Sequence, residues 1–202
     1  MKYIKNIPKK DIKEYNEMIN HGWIPLKEPK SLVLSTVISI PIAIFCIYLS
    51  LIPFYILNNY FITILKKLVF SNYFIVNINL QYIVVIYIYI FIHEIIHLIF
   101  IPNFINSKCT FISLKFWGGF VYTEEKMSKF RFLVITIMPF IVLSFIMPFF
   151  MIYLGFSKPL ILALLLINSA GSSVDILNFF LVLMQVPNGS TIKNLGLRTF
   201  FK

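Results

Sequence analysis

The sequence predicts an all-α membrane protein of about four transmembrane helices, with one short β-hairpin between the second and third. Three observations predict it. Of 202 residues, 59% are hydrophobic and only 13% are charged, and the mean hydropathy is +0.86. A soluble domain of this length is not so apolar. The apolar residues also gather into four runs, 32–57, 80–101, 132–154 and 160–186, each able to cross a hydrocarbon core of about 30 Å as a helix. Finally, residues 110–123 (TFISLKFWGGFVYT) place β-branched and aromatic residues around Gly118-Gly119, a hairpin signal.

The organisation expected is a basic N-terminal segment (1–31), one transmembrane domain (32–186) and a short basic tail (187–202). The N-terminal segment is broken by Pro8, Pro25 and Pro29. Within it, Ile12, Tyr15 and Ile19 fall at helical spacing, which fits either a surface helix or a solvated tail. Run one holds Pro41 and Pro53, so a kink or an early end is expected. Residues 58–79 are too charged to span, with Lys66-Lys67 inside them, and read as an interfacial helix outside the cytoplasm. Pro102 ends run two. Run three carries Pro139 and Pro148, and a tight connection at residues 155–158 leads to run four. No signal peptide is expected, because the first thirty residues are polar. Cys46 lies in a span and Cys109 in a loop, so no disulfide is expected.

The net charge of +10 raises the question of nucleic acid, but its distribution answers it. The segments before, between and after the four runs hold seven, two, five, one and three Lys or Arg. Alternate segments therefore carry 15 against 3, a positive-inside bias that puts both termini in the cytoplasm of a multi-pass cell-membrane protein. The expected partners are the lipid bilayer and a peptide or membrane-protein substrate, not nucleic acid.

The chemistry centres on His93-Glu94-Ile95-Ile96-His97. Two imidazoles and a carboxylate inside an apolar span are costly to bury and call for a function. On a helix His93 and His97 share one face and can reach one metal ion, with Glu94 beside it as a general base. Two other readings of the histidines are a polar pair within the bundle and a bis-His haem site. The metal reading needs a third ligand. Asp175 is the only acid in run four. Like His93, it lies about nine residues, or roughly 13 Å, from the cytoplasmic end of its helix. His93, His97 and Asp175 would give Zn2+ three ligands and leave a position open, as in catalytic sites. The alternative is that Asp175 hydrogen-bonds Asn178 or Ser172. The small residues 169–173 let helices approach closely, or let the fourth helix unwind and admit water.

The HEIIH motif, the W-G-G-F-V-Y hairpin, Met138-Pro139 and the segment from Asn168 through Gly171-Ser172-Ser173-Val174-Asp175-Ile176 together resemble the small bacterial zincin membrane peptidases. That family is similar to the intramembrane site-2 proteases. The resemblance covers roughly residues 80–185. It implies zinc held by His93, His97 and Asp175, Glu94 as the base, and Asn168 as a substrate-binding residue. Gly118 and Gly119 are candidate substrate contacts as well, since a sheet edge beside the site could receive an extended peptide. Where site-2 proteases carry Leu-Asp-Gly, this chain reads Val174-Asp175-Ile176. The function expected is a membrane-embedded zinc metalloendopeptidase. The alternative on the same scaffold is a non-proteolytic metal-binding protein, such as a regulatory or immunity factor.

Overall fold

A computed structural model describes residues 2–4, 12–57, 80–115 and 118–202. The interfacial helix expected in 58–79 lies outside them. Among the described residues three helices are long and apolar enough to cross a membrane: Leu80–Phe100, Lys129–Tyr153 and Lys158–Gln185. A fourth crossing is available if helices α2 (Leu32–Ile38) and α3 (Ile40–Leu57) count as one broken span, bent by 52°. The break has a local cause. Pro41 has no N–H to offer the carbonyl of Val37, and its ring crowds that carbonyl. Before α2 come a short strand β1 (Lys2–Tyr3), helix α1 (Ile12–Asn20) and strand β2 (Ile24–Pro25).

Helix α4 (Leu80–Phe100) is apolar on most of its circumference and ends just before Pro102. Strands β3 (Thr110–Lys115), β4 (Gly118–Thr123) and β5 (Met127–Ser128) follow. The Ser128 hydroxyl caps helix α5 (Lys129–Ile141) by accepting from the Arg131 N–H. One π-helical turn (Val142–Ile146) joins α5 to α6 (Met147–Tyr153). Gly155, at φ 79, makes the reversal after α6, a backbone conformation that favours glycine. The fourth run forms α7 (Lys158–Gly171) and α8 (Ser173–Gln185). The run of small residues does not unwind there. The Ser172 N–H still reaches the Asn168 carbonyl, and the Ile176 N–H reaches that of Ser172. Close approach is the part of the expectation that appears: Ser50 and Ser39 of the broken span hydrogen-bond Ser169 and Ser173, respectively.

The fold is not purely helical. The predicted hairpin is present, with Thr110 opposite Thr123 and Lys115 opposite Gly118, and β1 adds to it in parallel. The register corrects one detail: Gly118 and Gly119 belong to β4 rather than to the reversal. A second sheet was not foreseen. It orders β2, β7, β6 and β5, where β6 (Thr191–Leu195) and β7 (Arg198–Phe201) come from the supposed tail. Gly196, at φ 59, opens the two-residue turn between them, as such hairpins require. This sheet is built around a core. Phe200 and Ile192 are fully buried, and Trp23 and Leu26 from the supposed solvated segment pack with them. Segments from before span one, between spans two and three, and after span four therefore meet in one sheet and lie on one side of the helices. Phe200→Ala should cost about 3–5 kcal/mol, the penalty for emptying a buried aromatic site, read as a lower thermal midpoint in detergent.

Candidate metal centre

His93 and His97 sit one turn apart on α4, their ring centroids 4.9 Å from each other. Asp175, in the first turn of α8, reaches both. Its Oδ2 lies 3.3 Å from His93 Nε2 and 3.4 Å from His97 Nε2. One ligand atom from each of the three residues falls within 4.8 Å of the others. The matched depths inferred from span length thus correspond to contact. Of the groups proposed as alternative partners for Asp175, the Ser172 hydroxyl is buried and makes no hydrogen bond.

The far sides of both rings are occupied. His97 Nδ1 is 2.7 Å from the Ile135 carbonyl and His93 Nδ1 is 2.9 Å from Asn168 Oδ1. A carbonyl can only accept, so these nitrogens carry protons, and in the neutral rings the Nε2 lone pairs point inward. Two imidazole lone pairs and a carboxylate oxygen then converge with little solvent access. Such a cluster needs a proton or a metal ion among its three atoms. The donor set, two neutral imidazoles and one carboxylate with outer hydrogen bonds on the rings, is the set that holds catalytic zinc.

A cavity of about 410 Å³ opens from the cluster. His93, Glu94, His97 and Asp175 form its inner wall, and residues 119–123 of β4 run along one side. The start of α2, the β6–β7 turn and Glu28 enclose its mouth. Glu94 is buried, with the backbone of Val121 beside its carboxylate. At the mouth, burial pushes the Glu28 carboxyl above the usual carboxylate range, against the pull of the Thr199 N–H that it accepts at 2.8 Å.

The expected substrate residues divide. Gly119 lines the cavity. Asn168 is buried behind His93 with its amide engaged in the protein. Its place against the His93 ring suits support rather than substrate contact. Sequence reasoning missed Ile135 and Val121, which act through backbone atoms and leave no residue signature. It also missed the hairpin that closes the mouth.

A family model described as "Putative zincin peptidase" matches residues 85–191, a stretch that includes every group of the cluster. No curated protein and no solved structure matches the chain. Metal analysis of protein purified in detergent without chelators should find about one zinc per chain. His97→Ala and Asp175→Ala should each remove it; retention in Asp175→Ala would exclude Asp175 as a ligand.

Proposed function

The chain belongs to this zincin peptidase family, and from that premise we propose that it is a zinc metalloendopeptidase with its catalytic centre inside the membrane. The observation that carries the proposal is the convergence of His93 Nε2, His97 Nε2 and Asp175 Oδ2 at the head of a cavity that also holds Glu94. His93, His97 and Asp175 hold the ion. Zinc, when bound, supplies Lewis acidity toward water and toward a peptide carbonyl.

The remaining steps belong to the protein. Glu94 removes a proton from the attacking water as the C–O bond forms at the scissile carbonyl carbon. It returns that proton to the leaving nitrogen as the C–N bond breaks, giving one carboxylic acid and one amine. The backbone of Val121, beside the Glu94 carboxylate, is placed to orient it. The β4 edge along the cavity supports an extended peptide as substrate, because its outward backbone groups can pair with another strand. Helices around the cluster limit water to the cavity and keep the groups in a low-dielectric setting where their charges act strongly. The presence of Glu94 in the cavity, beside the ligands, favours the peptidase over a non-proteolytic metal-binding role.

The cavity opens toward the sheet that gathers the segments on both flanks of the spans. The charge bias of 15 against 3 supports a cytoplasmic location for this sheet and for both termini, so the site takes its substrate from that side.

Two experiments test these proposals. Glu94→Gln should keep zinc and lose cleavage by a factor of at least ~10²; cleavage at the wild-type rate would sink the mechanism. The natural cysteines report topology, since Cys109 is exposed and Cys46 buried. A membrane-impermeant thiol reagent should label Cys109 in inside-out vesicles and leave it unmodified in intact cells. The reverse pattern would invert the orientation.

A further inference from the structure

The two histidines are held from behind by groups of different kinds, and both have a traceable origin in the spans. In a regular α-helix the Ile135 carbonyl would accept from the N–H of residue 139. That residue is Pro139, inside α5, and proline has no N–H. The carbonyl is left without its helical donor, and the His97 Nδ1–H takes its place at 2.7 Å.

Behind His93 runs a chain of buried hydrogen bonds. Asn168 Nδ2 lies 2.9 Å from Ser144 Oγ, Ser144 Oγ 3.2 Å from Ser169 Oγ, and Ser169 Oγ 2.9 Å from Ser50 Oγ. The chain ends where Ser50 Oγ meets the Ile47 carbonyl at 2.8 Å. That last acceptor sets the direction of every bond before it. Each hydroxyl has one proton. Ser50 gives its own to the carbonyl and so accepts from Ser169, which accepts from Ser144, which must accept from Asn168. The amide therefore turns its NH2 toward Ser144 and its oxygen toward His93, and the ring can only donate from Nδ1. Ser144 lies in the π-helical turn. The same turn is tied to α4 by the Tyr89 hydroxyl, which donates to the Leu143 carbonyl at 2.6 Å, one helical turn before His93.

We propose that Pro139 and Asn168 are positioning residues of the metal centre. Pro139 frees a backbone carbonyl to orient His97, and Asn168, its amide direction set by the serine chain, orients His93. This inference rests on the metal reading above, with the ligand lone pairs aimed inward by groups that never touch the ion. Loss of such an outer partner commonly weakens metal binding ten- to a hundredfold.

The test measures zinc affinity by chelator competition and thermal midpoints with and without zinc, for wild type, Pro139→Ala, Asn168→Ala and Asn168→Asp. Pro139→Ala and Asn168→Ala should weaken zinc binding by about 10- to 100-fold, and the rise in midpoint that zinc confers should shrink accordingly. A purely structural role would lower the metal-free midpoint and leave the zinc-induced rise intact; that outcome overturns the proposal. Asn168→Asp keeps an acceptor oxygen toward the ring, and Ser144 can turn its one proton from Ser169 to the other oxygen. It should bind zinc within about threefold of wild type. This variant decides the matter for Asn168 if the alanine protein fails to fold: a loss beyond tenfold in Asn168→Asp overturns the orienting role. Wild type that takes up no zinc overturns the metal reading and this inference with it. Wild type that binds zinc beside alanine variants of equal affinity overturns this inference alone.

Discussion

Three basic atoms aimed at one point inside a hydrophobic bundle constrain everything around them. Asp175 Oδ2 lies 3.3 Å from His93 Nε2 and 3.4 Å from His97 Nε2, and in a medium that screens charge poorly the three atoms need a proton or a metal ion among them. The protein holds them there through hydrogen bonds on the outer side of each ring and by packing α4 against α5 and α5 against α8. The kinks and irregularities follow the same demand. Pro139 leaves a carbonyl for His97, the π-helical turn presents Ser144 to Asn168, and the serines of the broken span terminate the hydrogen-bond chain. Irregular backbone at membrane depth is tolerated where it is covered by protein, and here it surrounds the site.

The second constraint is access. For the peptidase proposed above, a peptide bond and a water molecule must both reach a centre enclosed by helices. The β4 edge and the cavity beside it meet that need from one side of the bundle. The second sheet then frames the opening with segments far apart in the chain, so that Glu28 holds Thr199 across 171 positions. Polar groups at this rim are satisfied within the protein: the Tyr122 hydroxyl accepts from the Gly196 N–H, and the Asn194 amide donates to the Thr123 carbonyl.

What could be read from the sequence was whatever imposes a strong local pattern. The spans announce themselves by length, and HEIIH by placing ionisable groups where apolar ones belong. Asp175 was legible through depth alone, because two helices running in the same direction bring residues at equal distance from their ends side by side. The second sheet was not. Its outer strands, β2 and β5, are only two residues long, too short for alternation to register. Its central pair lies in a stretch whose lysines and arginine suggest solvent while Ile192 and Phe200 do the burying. Asn168 was noticed, but its role depends on which atom of its amide faces which neighbour, and only the three-dimensional hydrogen-bond chain determines that. Ile135 was invisible, since its contribution is a carbonyl that every residue possesses.

The β6–β7 hairpin has a consequence for the order in which the protein acquires its shape. His93, Glu94, His97 and Asp175 are all synthesised before it, although Ile192 of β6 shares a core with Phe132 and Val182 of the helices around them. Until the hairpin pairs with β5 and β2, the mouth of the cavity lacks one of its walls. While the chain is still emerging from the ribosome these groups therefore lack that wall, and the enclosure arrives last. Selectivity at the rim is in this sense a late event of biosynthesis, separated in time from assembly of the centre that it guards.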